Sequence, residues 1–511
     1  MINNITFNLN SNGIGQVLPG SDYISGYLIY NSYAPGSFNL GIPKVIYSLG
    51  QAEALGITNS SGDETRATGS ITVTASSIVG DAISINVTEP LPNSGSKIIN
   101  LCTYTAKSSD TTATLLAQSI KNAINNNLIT GYTASGAGST ITITARAGMG
   151  IALNAGTPIS YSNSNVSSPG LITITQFSGG TASKLAFWHY QISEFFRIQP
   201  NGTLWIGFYA IPGSYTFSEI GSMQAATNGV IRQFMVYSAN GTSVTNINAD
   251  LDAIQAVGES MSLLDQPAQV IYGSNMISIT DLTTLSNLGL RNDPYVSCII
   301  GQDGASLGAQ LCLNLGQSIP CIGACLGTVA LAPVENCIAN VGLYNLVTGS
   351  ELAVPAFANK VLVSSLPNSE LVALDSYQYI FIINKSGQAG TYFNDSYTAV
   401  SLTNNFCYIE RERVIQKAQR IIYTSYLPLE NSDLYLNPDG TLTSTTIRIF
   451  KDALSPSLNQ MVANGEISAF NILIDPRQNV QATSSINVTV QIIGVGIARN
   501  IVVNLGYVMS L

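Results

Sequence analysis

The sequence predicts a mixed α/β protein (α+β overall), with a layered α/β centre, a small β-rich inserted domain and strand-like segments at both ends. Three observations carry this. Short apolar runs separated by helical windows fill residues 182–408, the alternation expected of strands and helices packed in layers. Residues 64–181 change to Thr/Ile/Val runs punctuated by Gly, Ser and Asn. The outermost segments alternate apolar and polar residues with period two, as half-buried strands do.

Taken in order, Ile5, Phe7 and Leu9 form one side of a first strand, which Gly13, Gly15, Pro19 and Gly20 end. Residues 27–30 read as a second strand, and residues 45–57 as a strand followed by a short helix. Within 64–181, strands are expected at 70–76, 82–88, 139–145 and 171–177. One helix is expected at 112–126, with Leu115, Ile120 and Ile124 at helical spacing. The apolar runs 204–210, 231–237, 268–273, 295–301 and 379–385 are typical of buried strands. A helix is expected over 249–265. The apolar stretch 311–334 is interrupted by Asn314, Gln317, Ser318 and Pro320, which suits buried helices rather than a membrane span.

Residues 409–452 hold 12 of the chain's 49 charged residues. Val414, Ala418, Ile421 and Ile422 lie at i, i+4, i+7 and i+8, so 409–426 is an amphipathic helix. Its polar side carries Glu410, Arg411, Glu412, Arg413, Lys417 and Arg420, expected to face solvent or a neighbouring subunit, with Glu410 and Glu412 interleaved among Arg411 and Arg413 as ion-pair partners. Asn437-Pro-Asp-Gly440 is a turn. Two alternating strands close the chain. Ile486, Val488, Val490 and Ile492 line one, and Ile501, Val503, Leu505 and Tyr507 line the other. The resulting division is 1–63, 64–181, 182–408 and 409–511.

Charged residues are only 10% of the 511-residue chain and the net charge is −9. A polar but uncharged surface suits self-association, because few ions need desolvating, and it equally suits a secreted or surface β protein. The 20 basic residues are spread thinly, without the stripe that nucleic-acid binding requires. The N-terminus lacks the pattern of an export signal, so assembly in a cytoplasm is expected, without insertion into a membrane.

The seven cysteines are odd in number and come without an export signal, which argues against a disulfide framework. Cys321 and Cys325 share a helix face at i, i+4, but zinc sites favour tighter CxxC spacings or histidine partners, and small buried cysteines at close helix contacts are the better reading. The one histidine, His189, sits among aromatic residues as a packed or interface residue rather than a general base. Gly301 to Gly308 follows a strand and opens a helix, yet it matches no phosphate-binding pattern. No catalytic site, cofactor or metal is expected.

The C-terminal third resembles contractile tail sheath proteins of phages and related injection systems. ERERVIQKAQRIIYTSYLPL (410–429), LNPDGTL (436–442), LNQMVANGEISAFNILID (458–475) and INVTVQIIGVGIARNIVVNLGYV (486–508) carry the resemblance, with GIGQVLPGSDYISGYLIY (13–30), VIYSLGQAEALGI (45–57) and FWHYQISEFFRIQPNGTLWIGF (187–208) agreeing in the N-terminal half. Their order and their position at both ends make the case. The resemblance implies a layered α/β sheath core and a helical homopolymer around an inner tail tube. It further implies baseplate and tail terminator proteins as partners, and a place in the virion tail or a comparable particle. It also implies that segments 1–12 and 484–508 link neighbouring subunits by completing a sheet, as unpaired strand edges do. It supplies no role for 64–181. Alternatives are another structural polymer (a tail tube or surface-layer protein), an α/β enzyme, or a glycan-binding role for 64–181.

Overall fold

The computed structural model describes residues 21–59, 62–92, 95–164 and 171–507. Among them, the centre is a six-stranded sheet. Its spatial order is Val296–Ile299, Gln269–Ser274, Gln233–Ser238, Ile24–Tyr30, Thr203–Tyr209 and Lys44–Ile46, all parallel except the last. Parallel strands need crossovers, and these place helices on both faces, so both faces are buried. On one face Tyr27, Ile206, Phe208 and Ile271 pack against helices Lys184–Ile198 and Ile322–Leu331. On the other, Leu28, Phe234, Val270 and Val296 pack against helices Ser218–Ala226 and Val244–Leu263. The result is a three-layer α/β centre.

The two helices of the first face approach unusually closely. A Cβ on Gly323 would lie 2.1 Å from the Gln191 carbonyl oxygen, so only glycine admits the contact. All seven cysteines are buried and unbridged, but only Cys312, Cys321 and Cys325 lie on or at the start of helices; Cys102 and Cys298 sit in strands, so helix contacts do not account for them all. His189 is buried as well, its Nε2 2.8 Å from Glu53 Oε1. Gly301 to Gly308 is a strand-to-helix turn in which Asp303 accepts from the amides of Ser306 and Ala309.

Residues 64–181 leave the central sheet after its edge strand and return just before helix Lys184–Ile198; a bridge between Thr65 and Thr181 closes the excursion. Among the described residues they form a four-stranded and a three-stranded antiparallel sheet around helix Ala113–Asn126. Their core is drawn from within, with Ile71, Ile85, Ile120 and Ile143 fully buried. Leu115 is a correction: it is 46% exposed, while Leu116 and Ala117 turn inward, because the helix sits one position further round than the Leu115 stripe implied.

Two other expectations are revised. The run 379–385 contributes only Ile382–Ile383 as a strand, although Ile380 exchanges backbone hydrogen bonds with Cys298 and Ile300 beside the main sheet. Residues 501–507 are not a strand. Period-two alternation permits an extended conformation, but a strand also needs a hydrogen-bonding neighbour, and the described residues provide none there.

Candidate functional site

The helix Ile409–Tyr426 begins and ends within the expected segment, and Val414, Ala418 and Ile421 bury its apolar side against helix Ser444–Ala463. Its charged side is not solvated. Glu410, Glu412, Arg413 and Lys417 are all buried, and among the six charged positions Arg411 is the exposed one. The helix lies across the amino ends of the parallel strands. Arg420 donates to the Pro267 carbonyl at 3.3 Å, Gln419 to that of Ser262 at 2.7 Å and Arg413 to that of Ala332 at 3.1 Å. Burying a cation is tolerable only with such partners.

The interleaved Glu/Arg pattern does not pair with itself. Lys417 Nζ lies 2.6 Å from Asp22 Oδ2 and 2.7 Å from Glu466 Oε1. Asp22 Oδ1 is also 3.6 Å from Arg420, and its carbonyl accepts from Gln233 at 3.1 Å. Burial works to raise the Asp22 carboxyl, but Lys417, Arg420 and Arg413 overcome it and hold it below the ordinary value. Burial, and then neighbouring Arg232, pull Arg420 down to about 9. Glu412, whose partner is Gln416 at 3.2 Å, is pushed by burial up to about 7.

At the amino end of the same helix, Glu410 takes the guanidinium of Arg499, which Asp395 also holds at 3.0 and 3.1 Å. Ser396 Oγ lies 3.2 Å from Arg499 Nη2, and the guanidinium stacks 3.3 Å above the Tyr408 ring. Burial works to lower the Arg499 pKa; Glu410 and Asp395 raise it well above the usual value. One helix thus holds Asp22, at the start of the described chain, through its middle turns and Arg499, near the end, through its first turn.

Beside the helix, Thr489–Gly494 pairs antiparallel with Ile467–Leu473, and both outer edges of this two-stranded sheet are unpaired among the described residues. Ile486, Val488, Val490 and Ile492 are half-buried against the C-terminal core. Adjoining depressions run between sheet and helix, one of about 300 Å³ lined by Ile415, Ile422, Val490 and Ile492 and one of about 470 Å³ reaching Glu335, Phe406 and Val495. Beyond Arg499, Ile501, Val503 and Leu505 are 76%, 76% and 96% exposed. Ile5, Phe7 and Leu9 lie outside the described residues.

Reading the sequence missed Asp22, Asp395, Ser396, Tyr408, Glu466 and Arg499. For two of them a signal was present: Asp22 is the first charged residue of the chain, and Arg499 is the lone charge after Arg477. Asp395 and Glu466 reach the helix only through the fold.

The crevice beyond the carboxyl ends of the parallel strands, where open α/β sheets bind ligands, is filled by side chains. Tyr30 packs edge-on against Tyr215 at 5.0 Å and Phe217 at 6.0 Å and donates to Glu219 at 2.8 Å. Asp250 accepts from Tyr272 at 2.7 Å beneath them. Among the described residues no group of His, Cys, Asp and Glu side chains is arranged to hold a metal ion, and no helix is long and apolar enough to cross a membrane.

Residues 405–511 match the family described as DUF2586, C-terminal domain. The curated proteins contain no match. Among solved structures the chain is similar to a chain of the anti-feeding prophage baseplate, with a TM-score of 0.39 and 13% identity over 62% of this chain and 80% of that one. It is also similar to a chain of the PVC sheath complex of an extracellular contractile injection system in its contracted state, with a TM-score of 0.39 and 12% identity over 63% and 80%. Likeness at that level carries no functional argument.

Proposed function

We propose that this chain is a structural subunit of a contractile tail or injection particle, a sheath-type protein that polymerises helically and does no chemistry. The carrying observation is the C-terminal sheet: among the described residues, two strands with free edges over an apolar groove, beside a tail whose apolar side chains are exposed. Unpaired edges recruit strands from other chains, and burying Ile501, Val503 and Leu505 in a neighbour contributes about 1.5–3 kcal/mol each. The order of sequence motifs at both ends supports the sheath reading in particular.

In this reading residues 1–12 and 484–508 link subunits by strand exchange, in a head-to-tail arrangement that does not close and so builds a helix. Residues 182–408 are the rigid body, 1–63 and 409–511 complete it and carry the linking segments, and 64–181 is an inserted surface domain. The copies surround an inner tube, meet baseplate and terminator proteins at the two ends, and shorten together when the particle fires. The particle assembles in the host cytoplasm. The filled crevice above the sheet supports a structural rather than enzymatic role.

Electron microscopy of the purified full-length chain, alone and with a tube template, tests this. Wide striated tubes are expected, and a variant ending at Arg499 should stay folded and monomeric without forming them. Tubes formed normally by the truncated chain would remove the linking role from the tail. A full-length chain that never assembles under either condition would overturn the sheath reading.

A further inference from the structure

We propose that Asp395, Ser396, Tyr408 and Glu410 form a guanidinium-binding site for the terminal segment of this chain, filled within the subunit by its own Arg499 and equally able to take the Arg499 of a second copy. The proposal deepens the strand-exchange reading above and rests on it for the second copy; the site itself rests on geometry alone.

The chemistry of the site is specific to arginine. Two carboxylates lie on one side and a hydroxyl between them, with a ring face beneath. A planar fork meets the carboxylates and stacks on the ring together, whereas a lysine ammonium makes only point contacts. Cys337 completes the lining, its Sγ 3.5 Å from Asp395 Oδ1. Burial, then Glu410 and Asp395, push its thiol up to about 12, so it stays neutral and adds no competing charge. Arg411, the other nearby cation, lies 5.1 Å from the Tyr408 ring centre and bonds Cys407 instead.

An empty site is costly. With Arg499 in place the Glu410 side chain is 3% exposed and that of Asp395 12% exposed, and removing the guanidinium leaves two neighbouring carboxylates with no cation between them. The site therefore demands occupancy, and the tail presents one cation to meet it. Arg499 is the lone charge after Arg477, so no other side chain of the segment competes for the place.

The tail is otherwise barely attached. Between Val495 and Tyr507 every residue except Ile497 and Arg499 is exposed. Contact with the body is concentrated at one ionic anchor, and a second copy's segment would make the same anchor. Exchange between copies then conserves the contacts of the closed subunit and frees the exposed apolar residues beyond Arg499 to pair elsewhere.

A fluorescent peptide with the sequence of residues 495–507 tests the site on dilute, full-length chain. The Arg499→Ala chain, its site vacated, should bind the peptide saturably. Wild-type chain should bind it at least about tenfold more weakly, because its own Arg499 competes. Adding Glu410→Gln to the Arg499→Ala chain, or placing alanine at the arginine of the peptide, should weaken binding by at least about tenfold. Equal or absent binding by Arg499→Ala and wild-type chains would overturn the proposal. Should Arg499→Ala fail to fold, hydrogen exchange on the wild-type chain decides. Excess peptide should speed exchange at the amides of 497–503, and an unchanged rate would overturn the site. These measurements need no polymer. Peptide binding without tubes would refute the sheath reading alone, and tubes without peptide binding would refute the site alone.

Discussion

Residues 64–181 and residues 409–507 are both β-containing units attached to the same α/β centre, yet they complete themselves to different degrees. The first wraps two antiparallel sheets around a helix and draws its core from its own residues. Its buried carboxylates are satisfied within it: Glu89 by Arg146 at 2.6 Å and Tyr132 at 2.8 Å, Asp110 by Tyr104 at 2.7 Å and Ser119 at 2.8 Å, and Asp81 by Ser77 at 2.7 Å. The second ends in a two-stranded sheet whose edges are both open among the described residues, with a half-buried apolar face and an exposed tail, and its buried charges find partners elsewhere in the chain. A unit that satisfies its own polar and apolar groups can be carried as an attachment. One that leaves strand edges open among the described residues offers a place for a further strand.

The comparison can be broken most decisively in the first unit. Ile85 is fully buried in its core, so Ile85→Ala should cost about 2–5 kcal/mol. If 64–181 is a separable domain, calorimetry should show one transition moving down while that of the α/β centre stays in place. A single transition shifted as a whole would mean the two are one cooperative unit.

The next largest effect lies in the charged helix. Glu412 rises from 4.5 to about 7 through burial. Between those values the folded chain keeps a proton there that the unfolded chain has released, so raising the pH through that window lowers stability. Above it the deficit is constant, on the order of a few kcal/mol. Glu412→Gln should therefore be more stable than wild type at pH 8 and nearly equal to it at pH 4, as read by denaturant melts at the two pH values. Equal stability at pH 8 would show the carboxylate is better solvated than its burial implies.

The smallest effect is expected where the second unit is open. Ile493 is 63% exposed on the edge strand, so Ile493→Ser should change subunit stability by no more than about 0.5 kcal/mol. A larger loss in the isolated subunit would show that this face is already covered within the chain.

Much of this arrangement was legible in the residues. The apolar runs at 204–210, 231–237 and 268–273 are central parallel strands, because burial on both faces removes the polar alternation that would disguise them. Helix Ile409–Tyr426 was readable from its stripe. Its charges were misread, since a row of ions reads alike whether it meets water or distant partners. The roots of the terminal segments were half visible, as two isolated charges at either end of the chain with nothing to say what received them.

By itself the sequence determined the local periodicities and with them the type of nearly every long element, because the alternation of apolar residues is set by helix and strand geometry. The tertiary structure decided the rest. It brought Asp22, Glu466 and Arg499, dozens or hundreds of positions away, and the nearer Asp395 to one helix, turning a polar face into buried ion pairs. Among the described residues it also left 501–507 without a ladder to join. Both outcomes depend on which groups meet across the fold, and pairing and desolvation energies exist only once they have met.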